Sequence, residues 1–383
     1  MHKFLAGSLI VLAAICLGCE KIQDGIVSGT VETVKIGFIV TGDRVPYLNG
    51  TQLAVDEINA RGGVLGTPAE LVSFVNTETS LPLTIRAAED MILKDEVIAI
   101  IGPNRSTHAV AVGPIAQQHA VPMITTAATN PNVTKAGDFV FMASVTDIFQ
   151  GRVMAQFAIE ELDVKTVAIL TLSGDVYTEG ISEFFSANIN NFGGEIVASE
   201  FYESGTTDFT GQLMHIAAAK PGALFISSFS GEIAAITQQV RTIPMQNAAG
   251  EPTLFLGADT WDNEILLADE NAEIEGSFFS THFSPNTDAP AARAFIDTYE
   301  SIYESTPTGG VAVSYDAVKL LFEAIERAGS LEAEKIREQL AATENYIGAT
   351  RIASYDENRH PTKSAVILTI KDGKKQFFKQ IDP

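Results

Sequence analysis

Val97–Pro131 reads VIAIIGPNRSTHAVAVGPIAQQHAVPMITTAATNP. Two apolar, β-branched runs, Val97–Ile101 and Val121–Thr126, each end in small or turn-forming residues. Between them, Thr107–His119 places Val110, Ile115 and Ala116 at helix-like spacing. Strand, helix and strand with short connections predict a βαβ crossover in a parallel sheet. Ser106 falls where the helix begins, so its hydroxyl and the free N–H groups of the first turn face the end of the sheet. Such a helix start favours an anion. Ala127-Ala128-Thr129-Asn130-Pro131 opens from the second strand at the same edge and brings a further hydroxyl with free carbonyls and amides. Ligands of open α/β sheets sit at that edge.

Working outward, the chain has 383 residues, enough for two domains with sizeable cores. Apolar residues make up 46% and charged residues 19%, which excludes a disordered chain. A net charge of −23 argues against nucleic acid as a partner, because phosphate recognition needs clustered Lys and Arg. The acidity reads as a solvated, self-repelling surface.

Residues 1-18 read as a signal peptide: His2 and Lys3 precede the apolar run Phe4–Leu17. That run is shorter than the roughly 20 residues a membrane span requires. Cys16-Leu17-Gly18-Cys19 resembles a bacterial lipobox, with Cys16 where an aliphatic residue is usual. The resemblance implies cleavage before Cys19, lipid modification of Cys19, and attachment to the membrane through that lipid alone. Residues 19-33 lack periodicity and read as a tether.

Two series of alternating strands and helices follow. The first opens with the near-continuous apolar strand Val34–Val40, the loop Thr41–Asn49 and a helix stopped by Gly62-Gly63. Strand Ala69–Val75 and helix Leu83–Lys94 lead into the stretch quoted above. The second series begins near Phe149, with strands predicted at Val167–Leu172, Glu195–Phe201, Ala223–Ser227 and Thr253–Leu256. Asn59-Ala60-Arg61-Gly62-Gly63 and Asn190-Asn191-Phe192-Gly193-Gly194 close the first βα unit of each series, so two similar α/β lobes are expected. The tail departs from the alternation: a strand at Phe278–His282, three helices between Ala291 and Ala342, then strands Arg351–Tyr355, Ser364–Lys371 and Gln376–Ile381. Asp372-Gly373 makes a hairpin turn between the last two.

The pattern IGPxxS…PIA…VPxIxxxATNP at Ile101–Pro131 resembles the type I solute-binding proteins of the leucine/isoleucine/valine-binding family, and the likeness extends from about Val34 to the C-terminus. It implies an α/β clamshell of two lobes, with parallel-type sheets flanked by helices and three hinge crossings. These would fall near Ala143–Asp147, Ser280–Phe283 and Ile347–Ala349. The lobes would then be 34-144 plus 282-347, and 145-281 plus 348-383. By the same resemblance Ser106 and Thr129 would hold a ligand α-carboxylate, and the carbonyl of Ala127 would help hold the α-ammonium. An acid opposite them is needed for the ammonium, and Asp259 in Phe255-Leu256-Gly257-Ala258-Asp259 matches the family's acidic position, commonly Glu. Tyr177, Phe229 and Tyr47 match ligand-contacting positions, and Trp261, two residues beyond Asp259, is placed at the side-chain pocket. Arg44 shares the loop of Tyr47 and could meet an acidic ligand side chain, although a solvent-exposed arginine is the simpler reading; Arg105 is expected to point away from Ser106.

The implied role is capture of an α-amino acid, branched-chain, apolar or related, for delivery to the transmembrane subunits of an ABC permease. A ligand-sensing receptor of the same fold, for amino acids, amides or small carboxylates, is the alternative. No cofactor is expected. The six histidines lack metal-ligand spacing, and G-x-S-x-G and phosphate-loop motifs are absent. A hydrolase built on Ser106 would need a nearby base, for which His108 is the local candidate.

Overall fold

The structure is a computed structural model that describes residues 33–267 and 274–383. The signal-like segment and Cys19 lie outside the described residues. The first series forms β1 (Val34–Thr41), α1 (Tyr47–Ala60), β2 (Ala69–Asn76), α2 (Leu81–Leu93), β3 (Ala99–Ile101), α3 (Ser106–Gln118), β4 (Met123–Thr125) and β5 (Val140–Met142). The second forms α4 (Asp147–Gln156), β6 (Thr166–Leu172), α5 (Val176–Ile189), β7 (Glu195–Tyr202), α6 (Thr210–Ala219), β8 (Ala223–Ser227), α7 (Ser230–Val240), β9 (Leu254–Gly257) and β10 (Phe278–Thr281). The tail contributes α8 (Pro290–Tyr303), α9 (Gly309–Ala328), α10 (Ala333–Ala341), β11 (Glu344–Ile347), β12 (Arg351–Tyr355), β13 (Pro361–Thr362), β14 (Ala365–Lys371) and β15 (Lys374–Ile381).

β2-β1-β3-β4-β5 make a parallel sheet. A second sheet runs β15-β14-β10-β9-β8-β6-β7, parallel from β10 to β7 and antiparallel at β14 and β15. Alternate residues of each strand enter opposite faces, so each sheet carries two apolar layers. On the first sheet Phe38, Ile101 and Ile124 pack with α1, α8 and α9, whereas Ile39, Ile100 and Met123 pack with α2 and α3. On the second, Leu224 and Ile226 face α6 and α7, and Ile169 and Phe225 face α4 and α5. Burial on both faces explains the near-continuous apolar strands, since each fully buried Ile, Leu or Phe contributes roughly 1.5–3 kcal/mol.

The chain passes between these cores more than once. Ala143 packs with the first sheet and Val145 with the second, and Phe279 and Phe283 divide the same way in reverse. The last passage differs from the expected one. Residues 348–362 do not travel with the second sheet: Ala349 and Ile352 are buried in the first core beside Tyr346. β11, β12 and β13 form a small antiparallel sheet there, and the second core is entered only at Ala365. Composition could not show this, because a short strand carries one or two buried residues that fit either core.

The carboxyl ends of β1, β3 and β4 are drawn together by local chemistry. Gly102 has φ of +96°, and a Cβ there would lie 2.2 Å from the Ile39 carbonyl oxygen, so only glycine lets the β3 loop approach β1 this closely. Two residues on, Asn104 accepts from the Thr41 backbone N–H at 2.7 Å and donates to the Thr41 carbonyl at 3.1 Å. α3 thereby starts at a defined place against the sheet edge.

Candidate functional site

A small cavity, partly open to solvent, lies at these strand ends. Its walls are Arg44, Tyr47, Asn104, Arg105, Ser106 and Ala127 from the first half, and Tyr177, Phe229, Asp259 and Thr260 from the second. Six of the predicted residues are therefore brought together: Tyr47, Ser106, Ala127, Tyr177, Phe229 and Asp259. Ser106 is the first residue of α3, and its Oγ accepts from the Asn130 N–H at 3.2 Å. Thr129 does not line the cavity; it is fully buried and its Oγ1 has no hydrogen-bond partner.

Trp261 corrects the expectation placed on it. It is fully buried in the second core, where Nε1 donates to the Ile226 carbonyl at 3.1 Å and the ring stacks on Phe279. The short helical turn Asp259–Trp261 explains the difference: it leaves Asp259 at the cavity while carrying the indole under β8. Arg44, for which solvent exposure was the simpler reading, is 7% exposed. It donates to Ser230 Oγ at 3.0 Å and to the Thr260 and Asp262 carbonyls at 3.1 and 3.4 Å, with Asp43 at 3.3 Å. Burial opposes its charge, and the carboxylates of Asp43, Asp259 and Asp262 favour it. Arg105 also lines the cavity, 3.6 Å over the Phe229 ring.

Asp259 is the acid of the site. Its Oδ1 accepts from Tyr177 Oη at 3.1 Å and from Gln150 Nε2 at 3.2 Å. Gln150 is itself held by Ser280, whose Oγ donates to Oε1 at 2.8 Å. Oδ2 faces His282 Nε2 at 3.6 Å, too far for a hydrogen bond. His282 Nδ1 accepts from the Val145 N–H, which leaves the proton on Nε2, aimed at the acid. Burial and the neighbouring Asp259 push the Tyr177 phenol well above its usual range, and burial pushes Tyr47 up to about 12, so both rings are neutral donors. Burial also pushes the Asp147 carboxyl well above the carboxylate range. Gln150, His282 and Thr260 carried no signal in the sequence: each is an isolated polar residue whose role depends on a partner far away in the chain.

Polar contacts cross the cavity rim. Thr107 Oγ1 donates to Asp175 Oδ2 at 2.8 Å, and Asp175 caps α5. Asn130 Nδ2 donates to the Val176 carbonyl, and Asn263 Nδ2 to Asp43. Asp262 accepts from the Gly309 N–H at the start of α9. His108 Nδ1 lies 2.9 Å from Thr84 Oγ1, so its bond is made to α2. Among the described residues no group of side chains could hold a metal ion, and no helix is long and apolar enough to cross a membrane.

A two-lobed α/β frame with a charged cavity at the strand ends defines a ligand-capturing protein. Residues 33–375 match the periplasmic binding protein family, and the chain belongs to it. Members of that family work outside the cytoplasm as substrate-binding transport proteins. The chain is 28% identical to the Leu/Ile/Val-binding protein BraC3 of Rhizobium johnstonii over 76% of each chain. Among solved structures it is similar to a leucine-binding protein, LivK, of Thermotoga maritima, with 36% identity, a TM-score of 0.85, and coverage of 91% of this chain and 99% of that one. It is also similar to the branched-chain amino acid transporter substrate-binding protein LivJ of Streptococcus pneumoniae in complex with isoleucine, at 29% identity and a TM-score of 0.83, covering 92% and 100%.

Proposed function

We propose that this protein captures an α-amino acid between its two lobes and delivers it to the transmembrane subunits of an ABC permease. The observation that carries the reading is the opposition of two poles across one cavity. Ser106 and the free N–H groups of α3 stand on one side, and Asp259, oriented by Tyr177 and Gln150, stands on the other. Neutral donors at a helix start suit a carboxylate, and an acid with one unbonded oxygen suits an ammonium. Ser106 Oγ is bonded to Asn130 and His108 to Thr84, so this pair is not arranged as nucleophile and base, which supports binding over turnover.

The lobes would be residues 34–144 with the tail helices and small sheet, and the remainder around the second sheet. Their closure would bring Asp259 and the aromatics onto a ligand first met by Ser106. Calorimetry of the purified protein against amino acids tests the reading, together with small-angle scattering, which should report a smaller radius of gyration in the bound form. Tight binding with an unchanged scattering profile would remove closure. Attachment through a lipid on Cys19 rests on the sequence; a Cys19→Ser protein that still incorporates labelled fatty acid would remove it.

A further inference from the structure

Building on the amino-acid reading, we infer that the preferred ligand is a dicarboxylic α-amino acid, its side-chain carboxylate received by Arg105. The cavity walls give the first reason. Among the described residues that line it, no aliphatic side chain is larger than Ala127; the rest are two arginines, an acid, three small polar residues and three aromatics. A leucine or isoleucine side chain buried there would share the aromatic rings with two guanidinium groups, and apolar surface placed against those cations gains little.

The charges give the second reason. Arg44 is already engaged by Asp43, Ser230 and two carbonyls. Asp259 is left for the ligand ammonium. The Arg105 guanidinium has no hydrogen bond or ion pair among the described residues; its contact is the Phe229 ring face. Asp175, an acid near enough to act on it, is occupied by Thr107 and by the backbone N–H groups of Tyr177 and Thr178. Burial lowers the guanidinium's pKa, so its charge is held at a cost that an anion would relieve. A zwitterionic ligand with a neutral side chain would leave this cation without a hydrogen-bonded anion, since Asp175, Asp43 and Glu232 act on it only at a distance, whereas a second carboxylate would bond it directly.

Direction gives the third. Ser106 Oγ is turned to Asn130, whereas the Arg105 side chain runs toward Gly42 and Phe229. The two neighbours in sequence therefore serve different ends of a ligand, Ser106 the α-carboxylate and Arg105 the side chain.

The test is calorimetry of the purified protein with L-glutamate, L-aspartate, L-glutamine and L-leucine, repeated with Arg105→Gln. At least one of the two acids should bind tenfold or more tightly than glutamine and leucine. Arg105→Gln should lower that affinity at least tenfold while leaving glutamine or leucine unchanged or improved. Thermal unfolding without ligand shows whether the variant folds; if it does not, the wild-type panel decides alone. Leucine or glutamine binding more tightly than both acids overturns the inference and leaves the amino-acid reading standing. An equal loss for every ligand in Arg105→Gln overturns it as well, since Arg105 would then hold the shared α-carboxylate. Binding of none of the four sinks the amino-acid reading itself.

Discussion

Two aspartates, the buried Asp316 and the half-buried Asp259, sit at opposite ends of the strategy by which this fold uses charge. Asp316 lies on α9, and its four hydrogen bonds come entirely from the protein: Tyr346 Oη and the Ala349 N–H on Oδ1, and the Thr350 N–H and Oγ1 on Oδ2. Thr350 Oγ1 in turn accepts from Lys363, whose Nζ also donates to the Ala143 carbonyl. Asp259 has two such bonds, both on Oδ1, and its other oxygen is unbonded beside His282. The first acid has no capacity left for a ligand and holds together the stretches where the chain passes between cores. The second retains capacity for one more donor. A saturated buried acid is a structural joint; a half-saturated one at a cavity is a binding group.

Removing each acid should separate these roles. Asp316→Ala leaves four donors and the Lys363 charge without their partner, so unfolding by denaturant should show a loss of roughly 3–5 kcal/mol. A loss below about 1 kcal/mol would mean that the joint is relieved by water and that the contrast with Asp259 is false. Asp259→Ala should cost the ligand-free protein less than Asp316→Ala, because Asp259 accepts from two side chains, Tyr177 and Gln150, where Asp316 satisfies four donors. Its main cost should appear in calorimetry, as a loss of roughly 2–5 kcal/mol of amino-acid affinity, at least tenfold. Wild-type affinity would place the ammonium elsewhere.

A smaller effect sharpens the Asp316 side of the comparison. Burial lowers the Lys363 ammonium from its usual range to about 8, against the pull of Asp316. The unfolded chain therefore retains this proton over a window in which the folded protein has released it, from about 8 to the ordinary value of 10.5. Stability contributed by this group rises with pH through that window and is flat below it. Lys363→Met removes the term. The difference in unfolding free energy between wild type and Lys363→Met should accordingly grow in favour of wild type by roughly 1–3 kcal/mol between pH 8 and 10.5. A difference that stays constant would show that the lysine remains protonated on its partners.

Much of the frame was legible because it is written in local spacing. The runs Val97–Ile101 and Val121–Thr126 contain β3 and β4, and α3 begins within one residue of its predicted start. β5, Val140–Met142, was missed. The second series, expected to begin near Phe149, opens at Asp147, where the Thr146 side chain accepts from the Phe149 N–H and caps the helix.

What the sequence by itself determined is the order of βα units and, through it, the residues that reach the strand ends. Ser106, Ala127, Tyr177, Phe229 and Asp259 each follow a strand at short range, and a parallel sheet delivers such residues to one edge whatever the rest of the chain does. Tertiary structure alone decided the direction of the side chains that must find distant partners. Arg44 is buried because carbonyls at 260 and 262 meet it, and Trp261 is withdrawn because the Ile226 carbonyl accepts its indole N–H. His282 stands beside Asp259 because two passages between the cores run together there, and residues 348–362 remain with the first core because Asp316 binds their turn. Each of these outcomes depends on hydrogen bonds between residues far apart in the chain, and neither periodicity nor composition carries information about such partners.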